Sequence, residues 1–410
     1  MRERVDVGSF SISEKALYCL MLFFIYCTDS ALVNTNADRI WARLAWLGIV
    51  ICTFVLSKRM KLSSRRLSYL LFFSGAIFAS MIVNDGFDVN CIQRVFLVWL
   101  ACAISLTMKY DVFMSYFIKI IRFIAIFSVI SLLLSPILLQ LPLPKMSIGS
   151  EAGYFVNLLF TNVSSSSSRN FGPFWEPGAF QLYLNWAVLY EVRHKEVLKK
   201  KDIIIFAICL FTTQSTAGIV IFFLIMMYYL YNNMVSNGKG IKLFQSLIVL
   251  GFLLLVGAFL ATSELLMDAF FGKVIALSEN QDEINSANVS SYTRVYSVPA
   301  NLEVIKEHPF FGVGIDQLKV EFMNRYELVS NTASILAMFA TFGLIPGILY
   351  FSLFLKASFK KYRPILLNIL FFIILLSMFS TENMIASLMF WVFLFYESNI
   401  TLIPSKSSHV

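Results

Sequence analysis

Apolar residues run along this chain in long blocks, and short polar stretches rich in Lys, Arg, Ser and Asn separate them. A helix that crosses a bilayer needs about 20 mostly apolar residues. That ruler predicts spans at 15–33, 40–57, 67–84, 92–108, 113–139, 175–192, 202–214, 216–232, 241–262, 332–355, 363–380 and 382–398. The expected fold is therefore all-α, a single polytopic membrane domain over 1–410 with about twelve transmembrane helices.

The polar patch "FTTQSTAG", residues 211–218, leaves a choice: one long helix over 203–231, or two with a break. The basic residues favour the break. With twelve spans both termini share a side, and the loops on that side hold 23 of the 33 Lys and Arg. One helix fewer would move Lys239, Lys242 and the basic loop 356–363 to the other side. The positive-inside rule makes the basic side, with both termini, cytoplasmic.

Two stretches exceed ordinary loops, 140–174 and 263–331, and both are expected on the outer side. Long segments of this kind are usually functional. The first contains the run Ser164–Ser168. In the second, "YTRVYSVPANLEVIKEH" reads as a short surface helix interrupted at Pro299, and "HPFFGVG" as a tight turn. The chain carries no internal or inverted repeat.

Composition fits this picture. Of 410 residues 58% are hydrophobic, 41 of them Phe, against about 45–50% apolar in soluble domains. The net charge of +8 lies in short loops between apolar blocks, which argues against nucleic acid as a partner. The six cysteines form no CxxC or Cys/His cluster, so neither a disulfide framework nor a zinc site is indicated. No small-residue cleavage site follows the first apolar block, which reads as a retained helix.

Candidate chemistry concentrates in "SSRNFGPFWEPGAF", residues 167–180. Pro177 suits the first turn of a helix, which puts Glu176 at its N-terminal boundary. Two readings stay open there. The carboxylate caps the helix, or it accepts a proton from a substrate hydroxyl. Arg169 either pairs with Glu176 or faces a ligand. Ten Lys and Arg face outwards in this topology, among them Arg169, Arg294 and Arg325. A guanidinium suits bidentate phosphate contact. Trp175 reads either as part of an interfacial aromatic belt or as a platform for a sugar ring. His308, before a proline and a glycine turn, reads as a turn-capping residue. Asp29 and Glu382 lie in or beside apolar blocks, where ionisable groups are functional candidates. No metal-ligand spacing and no phosphate-cradling Gly loop is visible.

The order of three motifs resembles the O-antigen polymerase and ligase superfamily: "RNFGPFWEPGAF", then "TRVYSVPANLEVIKEHPFFGVG", then "SNTASILAMFATFGLIPGILYF". The resemblance implies an all-helical, GT-C-like glycosyltransferase of a bacterial inner membrane with a long periplasmic loop. The substrate it implies is an oligosaccharide carried on undecaprenyl pyrophosphate, joined without metal, nucleotide or other cofactor. The implied partners are that lipid-linked donor, the bilayer, and a chain-length regulator and flippase of the same pathway. Carried over by position, Glu176 and Arg294 are the catalytic candidates. Arg169, Arg294, Arg325, Trp175 and His308 are the candidates for binding pyrophosphate or glycan. The ligase branch carries a His near the segment before "FGLIPG"; here "LVSNTAS" offers Ser330 and Asn331 instead. That departure favours a polymerase over a ligase. A flippase or other transporter is the reading from a different class. It would line a midplane cavity with charge, whereas the distinctive charges here lie in outer segments.

Overall fold

The computed structural model describes residues 4–7, 10–34, 40–58, 60, 63–84, 89–146, 153–194, 199–236, 289–328, 330–361 and 363–399. The expected span 241–262 and the first part of the second long segment lie outside the described residues.

Helices α1 (Glu14–Asp29), α2 (Ala31–Asn34), α3 (Ile40–Ser57), α4 (Ser64–Val83), α5 (Val89–Thr107), α6 (Tyr110–Leu133) and α7 (Ser135–Leu138) form the first half. After the first long segment come α8 (Pro177–His194), α9 (Lys200–Thr212) and α10 (Thr216–Ser236). The last part holds α11 (Val289–Glu307), α12 (Ile315–Tyr326), α13 (Ser334–Phe342), α14 (Leu344–Ser358), α15 (Ile365–Thr381) and α16 (Leu388–Asn399).

The polar patch at 211–218 does break the helix. Gln214 takes a left-handed φ of 50°, and Thr213 Oγ1 bonds back to Leu210 O at 2.7 Å. Three expected spans divide, and the first, 15–33, breaks at Ser30 between α1 and α2. The block 113–139 ends at Leu133 because Pro136 lacks an N–H to continue the ladder and instead sits in the first turn of α7. The block 332–355 splits at Gly343, whose φ of 86° only glycine adopts readily.

That glycine marks a crossing of two backbones. Val313 N and Gly314 N donate to Ala340 O and Thr341 O at 3.0 and 2.9 Å, and Leu344 N donates to Pro309 O at 2.8 Å. A Cβ on Gly343 would stand 2.0 Å from Phe310 O, and one on Gly312 would stand 2.5 Å from the Thr341 carbonyl. The "HPFFGVG" turn is thereby fixed to the α13–α14 break.

Among the described residues, four helices are long and apolar enough to cross a membrane: α4, α5, α6 and residues Thr216–Asn233 of α10. Segments of α3, α14, α15 and α16 are apolar but shorter. Large apolar side chains point outwards, such as Phe72 at 61% and Ile82 at 73% exposed. An aqueous surface would not hold them in such number, whereas lipid does. The chain is an integral membrane protein. Helix α8 is the central one, buried at every residue from Pro177 to Val192.

Both ends of the bundle are tied by polar side chains. At one end Arg193 pairs with Glu397 at 2.8 Å, both almost fully buried. His194 Nε2 lies 3.0 Å from the same carboxylate, and Tyr110 Oη donates to it at 2.9 Å. Charges this deep persist only when paired. At the opposite end α4 meets the "HPFFGVG" turn: Ser80 Oγ donates to Phe311 O at 2.5 Å.

The all-α expectation needs one correction. A hairpin pairs β1 (Arg4–Val7) with β2 (Phe10–Ser13). A three-stranded antiparallel sheet joins β3 (Lys145–Met146), β4 (Phe155–Asn157) and β5 (Asn162–Ser164). These strands are two to four residues long. Inside 140–174 they satisfy backbone groups that a polar loop would otherwise leave to water.

Candidate functional site

The segment 167–180 leaves β5 and enters α8, and its backbone is held from several sides. Asn162 N donates to Gly172 O at 2.7 Å, and Asn162 Nδ2 to Phe174 O at 3.0 Å. Asn170 N donates to Thr212 O at 2.9 Å. The Asn170 side chain reaches Ser128 Oγ at 3.0 Å and Thr212 Oγ1 at 2.9 Å. Ala31 N donates to Pro173 O at 2.9 Å. Gly172 turns with φ 53°, and a Cβ there would meet the Phe180 ring at 2.9 Å. Phe174 stacks on Phe180 and Tyr183, with centroids at 5.5 and 4.5 Å. Sheet, α6, α9 and α2 thus fix one loop.

What the loop presents is Trp175 and Glu176, both partly exposed. Trp175 Nε1 donates to Glu176 Oε1 at 2.9 Å. Pro177 opens α8, as the sequence predicts. Arg169 is also partly exposed, and its Nε donates to Thr213 O at 3.1 Å. No ion pair joins Arg169 to Glu176, so the reading in which they neutralise each other is not realised. Instead a carboxylate and a guanidinium sit on one pinned loop at the same end of the bundle.

Arg294 lies in the second turn of α11, whose backbone is described there. The helix runs through Pro299 without the expected interruption. Its packing outweighs the one lost hydrogen bond: Thr293, Ser297, Ala300, Asn301 and Val304 form a buried stripe. Polar contacts then link α11 towards α8. Thr332 N donates to Ser297 Oγ at 3.2 Å. The Asn301 and Asn331 amides exchange two bonds, each 3.0 Å. Ser334 Oγ donates to Glu382 O and accepts from Met384 N, at 2.6 and 2.7 Å. Gln181 on α8 closes the series through Thr381 Oγ1 at 3.4 Å.

His308 and Arg325 lie elsewhere. His308 is exposed; its N donates to Val304 O at 2.8 Å and its O accepts from Gly312 N at 3.1 Å. Arg325 is enclosed by carboxylates. Its Nη1 donates to Glu307 Oε1 at 2.9 Å and its Nε to Glu321 Oε2 at 3.0 Å, and Glu303 Oε2 is 3.5 Å away. A phosphate would have to displace these glutamates, so the guanidinium serves as a strut between α11 and α12. The hydrogen bonds from Gln317 and Arg325 hold the Glu321 carboxyl below its usual range; that from Arg325 does the same for Glu307. No hydrogen bond or ion pair among the described residues joins His308 or Arg325 to 167–180.

Asp29 gains the partners that the sequence left unnamed. It is 1% exposed, and its Oδ2 accepts from Thr28 Oγ1 at 2.9 Å, from Ser387 Oγ at 2.8 Å and from the Tyr183 hydroxyl. This knot joins α1 and α8 to Ser387, the residue before α16. A signal was present: polar residues Gln181, Tyr183 and Asn185 recur inside an apolar block.

A family model described as O-antigen ligase matches residues 203–351. The match spans α9 to α14 and supports the O-antigen polymerase and ligase superfamily, whose members act in polysaccharide assembly. The curated proteins contain no match to this chain.

Proposed function

We propose that this protein is a polysaccharide polymerase of the bacterial inner membrane. It joins oligosaccharide repeat units carried on undecaprenyl pyrophosphate into O-antigen or a capsular chain at the periplasmic face, with both termini in the cytoplasm. The observation that carries this reading is Glu176. It is a partly exposed carboxylate at the start of a buried helix, oriented by an indole N–H, with Arg169 on the same loop.

The chemistry assigned to these residues balances without another reactant. A hydroxyl of one repeat unit attacks the anomeric carbon of a lipid-linked chain. Its proton passes to Glu176, and the bond from that carbon to pyrophosphate breaks with the electron pair on the leaving oxygen. Arg169 and Arg294 oppose the charge that develops there. Low surrounding dielectric strengthens such contacts. Trp175 supports the base and offers a ring face to a sugar.

One specific observation favours a second reading: the matched family is described as O-antigen ligase. A ligase would pass a finished chain to a lipid acceptor. Against it, Asn331, in the segment where the ligase branch carries its His, is bonded to Asn301.

The deciding experiment is reconstitution with purified lipid-linked repeat units in EDTA, with no nucleotide. A ladder of products separated by one repeat unit supports the polymerase. Transfer of preformed chains to a lipid acceptor, with no ladder, would replace it with the ligase.

A further inference from the structure

The end of the bundle away from Glu176 carries a basic pocket that this chemistry does not use. Arg65, Arg66 and Tyr69 line it from the start of α4, with Leu353 and Lys356 from the end of α14 and Phe395 from α16. Several cations at this end already have partners. Arg193 pairs with Glu397, Arg122 with Asp202, and Arg363 donates to the Tyr228 hydroxyl. Arg65, Arg66 and Lys356 have no carboxylate partner among the described residues. Lys356 Nζ stands 5.9 Å from the Tyr69 ring centre. Three charges of one sign thus face one cavity, over a floor where Leu353 and Phe395 are buried.

The wall beside the pocket is apolar and faces outwards: Leu71 is 56% and Phe72 61% exposed on α4, and Leu355 is 39% exposed on α14. A ligand that satisfies both features has an anionic head and a hydrocarbon tail. We propose that this pocket binds the phosphate headgroup of an anionic phospholipid, whose acyl chains lie along α4. Two guanidinium forks and an ammonium suit the phosphate oxygens. An inorganic phosphate shares that chemistry but leaves the apolar wall uncovered. The inference is independent of the proposed polymerase activity.

The test uses purified full-length protein in neutral detergent, titrated with phosphatidylglycerol, phosphatidylcholine or inorganic phosphate. The unfolding temperature and the lipid retained in native mass spectra are read together. The expected result is saturable stabilisation by phosphatidylglycerol only. Lys356→Gln, an exposed position that preserves the fold, should weaken binding roughly fivefold, the equivalent of about 1 kcal/mol per basic residue at an anionic surface. The R65Q/R66Q/K356Q variant should abolish it. A second basic groove lies at the start of α9, lined by Lys199, Lys200 and Lys201; neutralising it, K199Q/K200Q/K201Q, should leave binding unchanged. Equal stabilisation by phosphatidylcholine, full stabilisation by inorganic phosphate, or an equal loss in the groove control would overturn the proposal.

Discussion

Trp175 and Glu176 are neighbours in sequence and are also joined side chain to side chain, Nε1 to Oε1, across 2.9 Å. The bond fixes the direction of a carboxylate that a mobile loop would leave to wander. Glu176→Gln keeps the shape and still accepts the indole proton, but it cannot take up a proton from a hydroxyl. Loss of a cap alone costs about 1 kcal/mol, whereas loss of a general base typically costs about 10²–10⁴-fold in rate. We expect a folded, inserted protein with at least a hundredfold less polymer. Trp175→Phe keeps the ring and removes the donor, so its loss should be smaller. Wild-type chain-length ladders from Glu176→Gln would remove the base from the mechanism.

Arg294 offers a second handle. Arg294→Ala should leave insertion and expression intact and abolish long chains, because one missing donor to a developing charge costs about 10²–10³ in rate. Arg294→Lys should restore only part, since a point charge does not reproduce the planar fork. Rate measurements in vesicles would settle it: full rescue by Lys rules out a bidentate contact.

Arg325 should behave otherwise. Its partners are three glutamates rather than a substrate, so Arg325→Ala should keep polymer synthesis within about threefold of wild type, as for a surface ion pair. What should change is hydrogen exchange in α11 and α12. The same contact has a pH signature. Glu307 and Glu321 titrate below their ordinary range in the folded protein. Their contribution is therefore complete above the unfolded Glu value of about 4.3 and is lost as pH falls through the lower folded values. Protection from exchange in α11–α12, taken relative to the intrinsic rate at each pH, should fall on acidification in the wild type and stay flat in Arg325→Ala.

The membrane orientation is testable by fusion. Alkaline phosphatase placed after Asn288 should be active, and the same enzyme after Lys200 inactive. The reverse pair of results would invert the assignment of Glu176 to the outer face.

Much of the helical framework is legible in the sequence because apolar block length and basic loops are long-range signals. The break at Gln214 is an example: a polar patch suggested it and the distribution of Lys and Arg decided it. The sheet of β3, β4 and β5 was not legible, since two or three residues cannot display an alternation. Pro299 read as an interruption because the buried stripe from Thr293 to Val304 becomes visible only once α13 lies against it. The enclosure of Arg325 had a signal, Glu303 and Glu307 spaced by one turn and Glu321 and Arg325 likewise. Reading it required knowing that the two helices fold onto each other. The Asp29 knot draws on α1, α8 and the residue before α16, and no local pattern connects positions 29, 183 and 387.

The crossing of backbones at Gly312 and Gly343 limits how the outer layer can move. Three hydrogen bonds of about 1 kcal/mol each must part together before the α11–α12 pair can tip away from the bundle, and a side chain at either glycine would collide with the facing backbone. The two turns are riveted together, backbone to backbone, rather than joined by a hinge of side chains. The amides of Val313, Gly314 and Leu344 should then exchange slowly and in step, with or without lipid-linked donor.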